Sequence, residues 1–231
     1  MAPSEIAPVD LHAPGTGRLP AFTFYNYFRS SAAYRVRIAL NLKGIVPART
    51  VDLDIRVGEQ KAEEFSEAIP HGLVPAFAWE GGSLTQSLAM IEWLDVLTPD
   101  RPRLIPADPE QASHVREIAL AIACDIHPLN NLRVLSYLGG ELEVPEARRL
   151  QWYRHWIAEG FTAVERILQR RRGAATFALG AQPTLADICI VPQVFNARRF
   201  DADLTAFPLI VEVAERCEAL DAFARARPQA G

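Results

Sequence analysis

Val74-Pro75-Ala76-Phe77-Ala78-Trp79-Glu80-Gly81-Gly82-Ser83-Leu84-Thr85 is the stretch of this 231-residue chain that decides its fold class. Apolar and aromatic residues fill positions 74–79, Glu80-Gly81-Gly82 is a tight-turn triplet, and Ser83-Leu84-Thr85 resumes an extended pattern. The stretch reads as strand, turn, strand. Ser87 to Leu97 follows with helical spacing through Leu88, Ile91, Leu94 and Asp95. Upstream, Ala21-Phe22-Thr23-Phe24-Tyr25 predicts a strand, Ala32 to Lys43 a helix stopped by Gly44, and Ala48 to Leu53 a second strand. Glu59 to Ala68 is polar and weakly helical, and leads to the turn Pro70-His71-Gly72. The order β-α-β-α-β-β-α predicts a small mixed sheet with helices.

Beyond Leu97 the strand signals stop. Thr98 to Pro109 carries Pro99, Pro102, Pro106 and Pro109, which forbid a continuous helix. Gln111 to His127, Leu129 to Leu138, Pro145 to Gln169, Thr184 to Phe200 and Pro208 to Arg227 all follow helical patterns. The expected organisation is an extension over 1–20, an α/β domain over 21–98, a proline-rich linker over 99–109 and an all-helical domain over 110–231. The extension holds Pro3, Pro8, Pro14 and Pro20 and has no basic start followed by an apolar run, unlike a secretory signal.

Composition narrows the function classes. A hydrophobic content of 49% is too high for a disordered chain, and no apolar run is long enough for a membrane helix. With 24 basic and 28 acidic residues the net charge is −4, which argues against nonspecific binding to nucleic acid or anionic membranes. Cys124, Cys189 and Cys217 are odd in number and widely spaced, a usage that suits a reducing cytosol. The five histidines form no metal-binding spacing, and no phosphate loop, dinucleotide fingerprint or nucleophile elbow occurs.

Three local features remain. Ser30 and Ser31 precede a helix, where free N–H groups and the positive dipole end favour a thiolate over its thiol. By themselves they read more readily as an N-cap. Val74-Pro75 opens a strand; a cis bond there would turn the main chain of Val74 outward for strand addition, whereas the commoner reading is a trans edge proline. Gln86-Ser87 opens a helix directly after a strand, where a hydroxyl and free N–H groups can hold a carboxylate or merely cap.

In chain order these features match one family. From about Phe22 to Pro228 the chain resembles a soluble glutathione transferase, and within that superfamily the zeta class of maleylacetoacetate and maleylpyruvate isomerases. The resemblance is carried by R-S-S-A-A-Y-R-V-R-I-A-L-N-L-K-G from Arg29, L-V-P-A-F from Leu73 and L-T-Q-S-L-A-M-I-E-W-L from Leu84. C-D-I-H-P-L-N-N-L-R-V-L from Cys124 and P-T-L-A-D-I-C-I-V-P-Q-V-F-N-A-R-R-F-D-A-D-L from Pro183 complete it. It implies a thioredoxin-like first domain, a helical second one, glutathione as cofactor and a cytoplasmic homodimer. One departure is visible: Ala32 and Ala33 stand where the class often has cysteine and serine.

Residue by residue, the resemblance implies that Ser30 and Ser31 lie at the thiol, with Ser31 the main thiolate holder. Val74 would pair with the cysteinyl backbone beside cis-Pro75, Gln86 and Ser87 would hold the γ-glutamyl end, and His71 would lie near the glycyl end. Tyr25 and Tyr27 are assigned to packing or to lining the site. Thiolate addition to a cis double bond, rotation and elimination would give the trans product. An enolate and two carboxylates then call for cations, assigned to Arg29, Arg133 and Arg199, while His127 and Asn131 are assigned to the glutathione-binding set. Arg35 and Arg198 are read as structural or surface residues. The implied activity is isomerisation of maleylacetoacetate to fumarylacetoacetate in tyrosine and phenylalanine catabolism. The alternatives are maleylpyruvate isomerisation, general glutathione conjugation and a non-catalytic interaction protein on the same scaffold.

Overall fold

A computed structural model describes residues 18–229 apart from 62–64, 66, 68 and 70. Most of the expected extension, and much of the 59–68 piece with Pro70, lies outside the described residues. Four short strands form one sheet: β1 (Thr23–Asn26), β2 (Arg49–Asp52), β3 (Ala76–Trp79) and β4 (Gly82–Thr85), in the order β2-β1-β3-β4. β1 and β2 run parallel, with Tyr25 opposite Val51, so a crossover must join them. That crossover is α1 (Ser31–Lys43), which ends on Gly44 at a φ of 58°. β3 lies antiparallel to β1 and hairpins into β4 through Glu80-Gly81. α2 (Ser87–Leu97) follows immediately. Phe22, Phe24 and Phe77 meet buried residues of α1 and α2, among them Val36, Met90, Ile91 and Leu94, in the core.

The proline-rich segment is pinned through its middle. Lys43, at the end of α1, pairs in the interior with Asp95 at 2.8 Å. The same carboxylate accepts the N–H groups of Leu104 and Ile105, and the carbonyl of Leu104 accepts the N–H of Leu185.

The remainder is helical: α3 (Pro109–Leu120), α4 (Leu132–Gly140), α5 (Glu146–Arg171), α6 (Leu185–Arg199), α7 (Pro208–Glu218) and α8 (Asp221–Ala226). α6 is buried along most of its length and packs against α1, α3 and α7. Its start is a capping box, in which Asp187 accepts from the N–H and hydroxyl of Thr184.

Three expected helices differ in their limits. The one expected over 111–127 is α-helical only to Leu120; Ala121–Ile126 is a π-helical segment, in which the N–H of His127 reaches back to Ile122. The next starts at Leu132 rather than at Leu129, because Asn131 caps it through its side chain. The last is two helices, since Leu220 is extended (ψ 134°) and redirects the chain. That turn lets α8 bury Phe223 and Ala226 and lie against α1, where Arg37 Nε donates to the carbonyl of Ala226 (2.9 Å) and Asn41 to that of Ala222 (2.8 Å). Gly160 of α5 leaves room for Ile126: a Cβ at this glycine would run into Cγ1 and Cδ1 of the isoleucine.

Candidate active site

The junction between β1 and α1 is built around two serines with different partners. Ser30 is the N-cap: its backbone is extended, and its Oγ accepts the N–H of Ala33 at 3.1 Å. Ser31 is buried at the first helical position, and its Oγ accepts from Nδ2 of Asn196, on α6, at 2.5 Å. Below the junction Arg37 donates to Asn26 Oδ1 (2.8 Å) and to the carbonyl of Phe28 (3.0 Å), fixing the loop that carries both serines. Tyr25 packs edge-on against Phe65 and Tyr27 against Phe28.

A second group of residues gathers at the end of β4 and the approach to β3. The Val74–Pro75 peptide is cis. Among the described residues neither the N–H nor the carbonyl of Val74 has a backbone partner. Gln86 holds a φ of 68°, a region that a side-chain-bearing residue occupies only at a cost of about 1–3 kcal/mol. Its exposed amide nitrogen stands 3.3 Å from Nε2 of His71. Ser87 is buried, and its Oγ accepts from Nη1 of Arg35 at 3.0 Å. Arg35 is therefore no surface residue: it is 2% exposed, four positions beyond Ser31 on the same helix face. Arg198 does lie at the surface, paired with Glu215 and Glu218.

The three arginines expected around the acceptor leave from three elements. Arg29, half-buried at the junction, stacks over Phe28 at 5.0 Å. Arg133 is exposed in the first turn of α4, where its N–H donates to the capping Asn131 Oδ1 at 3.1 Å. Arg199, exposed at the end of α6, stacks over Phe200 at 5.1 Å and lies one turn beyond Asn196. His127 closes the π segment, half-buried; burial, with the charges of Arg35 and Arg133, pushes its pKa down to about 3, so it is neutral at physiological pH.

The structure thus joins Ser31 to Asn196, Ser87 to Arg35 and Gln86 to His71, and sets His127 within the fields of Arg35 and Arg133. No shared partner joins Arg29, Arg133 and Arg199 among the described residues. Asn196 is a participant that sequence reasoning passed over, and Arg35, read as structural or surface, takes a place beside Ser87. Asn196 had a signal: it is a polar residue three positions before Arg199, directly after the apolar pair Val194-Phe195. No group of three or more metal-ligating side chains occurs among the described residues. An open groove of about 630 Å³ between α5 and the turn after α6, lined by Arg154, His155, Asp201 and Asp203 among others, contains none of these site residues.

Residues 24–102 match the family described as glutathione S-transferase, N-terminal domain. The maleylacetoacetate isomerase of Rhizobium meliloti is 47% identical over 204 residues, covering 88% of this chain and 94% of that protein. A holo maleylpyruvate isomerase, a bacterial glutathione S-transferase of the zeta class, superposes with a TM-score of 0.85 at 43% identity, over 89% of this chain and 96% of that one. The maleylacetoacetate isomerase of Methylobacterium extorquens, solved with bound malonate and glutathione, superposes with a TM-score of 0.83 at 37% identity, over 89% and 96%.

Proposed function

Because the chain belongs to the zeta class of glutathione transferases, in the family of maleylacetoacetate and maleylpyruvate isomerases, we propose that it is a glutathione-dependent maleylacetoacetate isomerase. It turns the cis double bond of a maleyl dicarboxylate into the trans, fumaryl form. The observation that carries this reading is the Ser31 hydroxyl at the start of α1, held by Asn196.

Several features fit glutathione. Among the described residues the main chain of Val74 has no backbone partner, which leaves it for an extended peptide, and Ser87 offers a hydroxyl at the start of α2 beside a buried cation. The strain held at Gln86 is of the kind that accumulates at ligand clamps. Glutathione supplies a thiolate whose addition to the double bond, and later departure, allow rotation. In this chain Ser31 donates to the sulfur, and its oxygen is already committed to Asn196. The N–H groups at the start of α1 add their dipole. Gln86 and Ser87 take the γ-glutamyl end and His71 stands near the glycyl end. Arg29, Arg133 and Arg199 hold the substrate's carboxylates and the charge that develops beside them, with Asn131 and a neutral His127 as polar neighbours.

In this assignment residues 21–98 bind glutathione, 99–109 link, and 110–231 take the substrate. The enzyme is cytoplasmic and acts in aromatic amino-acid breakdown; its cysteines stand as free thiols. It works as a homodimer. Apolar surface supports this: Val57 is 75% exposed and Val96 74%, and α4 is amphipathic yet buries none of its residues fully.

The test is turnover of maleylacetoacetate and of maleylpyruvate with and without glutathione. The expected result is a higher kcat/KM for maleylacetoacetate, with glutathione required and not consumed. A higher value for maleylpyruvate reassigns the substrate. Undiminished turnover without thiol refutes the mechanism, and conjugation of neutral electrophiles without isomerisation makes the protein a general transferase.

A further inference from the structure

α1 buries two cations, eight residues apart, and the fold treats them differently. Lys43 has a carboxylate, Asp95, at 2.8 Å. Arg172, the other largely buried arginine, is likewise paired, with Glu212 at 3.0 Å. Arg35 has none among the described residues: its hydrogen bond is to the uncharged hydroxyl of Ser87, and its Nε is buried without any partner. Its other neighbours do not compensate it. The thiol of Cys189 is a neighbour, but burial pushes that thiol's pKa up to about 11, so it is neutral, as is His127. A buried charge without a counter-ion is unfavourable for the protein alone. It becomes favourable when an anion arrives next to it in the same water-poor environment.

Ser87 indicates where that anion sits. Its oxygen accepts a hydrogen bond from Arg35 and its own proton is left to donate. It is the first residue of α2, where free N–H groups gather, and it follows the strained Gln86. We propose that Arg35 is a positioning residue for glutathione: acting through Ser87, it supplies the counter-charge of the γ-glutamyl α-carboxylate and makes the site selective for a ligand carrying that group. The inference rests on the glutathione-binding reading above and adds to it a specific source of charge.

The test compares glutathione with γ-aminobutyryl-cysteinylglycine, which lacks only that carboxylate, by calorimetric titration of the full chain. In the parent, glutathione binds more tightly. Arg35→Met weakens glutathione by about tenfold to a hundredfold, the range of a charged hydrogen bond, and leaves the analogue within about threefold. The ratio of the two affinities therefore collapses, and Arg35→Lys restores part of it. A purely structural Arg35 would lower the melting temperature and weaken both ligands equally, which overturns the proposal. If Arg35→Met does not fold, Ser87→Ala breaks the relay with the cation in place, and an unchanged ratio there overturns the proposal equally. A parent that binds neither ligand refutes the glutathione reading itself; a parent that binds glutathione, with ratios unmoved in the variants, refutes only the role of Arg35.

Discussion

Asn196 donates its amide N–H to the hydroxyl oxygen of Ser31 across 165 positions of sequence. A serine hydroxyl has two acceptor sites and one proton. With one acceptor site taken by α6, the proton of Ser31 is left to point elsewhere, into the region where the thiol is assigned. The helical part of the molecule therefore sets the direction in which a residue of the sheet part donates.

Removing that partner should act on the bound thiol rather than on glutathione affinity. Asn196→Ala is expected to raise the thiol pKa and lower kcat by about tenfold to a hundredfold, less than the largest losses known for a single electrostatic donor. Asn196→Asp should be worse, since a carboxylate would draw the Ser31 proton to itself. Ultraviolet thiolate absorbance against pH, beside kcat, checks both; parent-like values in each would remove Asn196 from the site.

The two serines should separate by phenotype. Ser30→Ala removes the cap of α1 and is expected to lower stability by about 0.5–2 kcal/mol. Ser31→Ala leaves the cap and should lower turnover with a smaller change in stability. Urea unfolding and turnover, measured on both variants, should give opposite rankings.

Arg29, Arg133 and Arg199 should matter for charged acceptors. Alanine at any one is expected to lower kcat/KM for the cis dicarboxylate by roughly tenfold to 150-fold, the worth of about 1.5–3 kcal/mol, while reaction with a neutral aryl halide changes little. Lysine should restore only part, because it lacks the planar fork. A proportional fall with both substrates would place the defect in folding or in glutathione binding.

His127 makes acid stability a measurable property. Its pKa is about 3 in the folded chain against an ordinary 6.5, so below pH 6.5 the unfolded chain gains a proton that the folded one does not. Its contribution is whole above 6.5 and is lost progressively as pH falls toward 3, with a slope of at most about 1.4 kcal/mol per pH unit. His127→Gln should flatten the fall of the urea midpoint with decreasing pH. An unchanged slope would mean that the ring titrates normally.

Gly160→Ala tests whether the π segment positions His127. The added methyl would press on Ile126, the neighbour of His127, and overpacking of this kind costs about 1–3 kcal/mol. Dicarboxylate kcat/KM should fall more than glutathione affinity. Parent-like stability would show that Ile126 rotates aside at little cost.

What was legible beforehand was whatever depends on local pattern. The hairpin around Glu80-Gly81 and the 87–97 helix each follow from short-range rules, and each stands where those rules put it, save that the first strand begins at Ala76. The π segment did not show, because apolar spacing over 111–127 is nearly the same for a helix with one widened turn. The break at Leu220 was hidden for a related reason: its cause is the docking of α8 on α1, a distant contact. For Arg35 the sequence left structural and surface roles open, and only the three-dimensional neighbours reveal that this arginine is enclosed. For Asn196 the helix was visible and the partner was not.

The clasp of α8 on α1 bears on how the protein is made. Arg37, which fixes the loop carrying both serines, reaches a carbonyl 189 positions later in the chain. During synthesis that carbonyl emerges from the ribosome long after the first sheet residues have done so, and one face of α1 stays bare in the meantime. A nascent chain in this state exposes apolar surface with its most distant contacts still unmade, the situation that slows folding and invites holdase chaperones. A polypeptide stalled before α8 would hold the serine junction only through the bonds of Arg37 to Asn26 and Phe28 and of Asn196 to Ser31, without the clasp of Arg37 and Asn41 on α8.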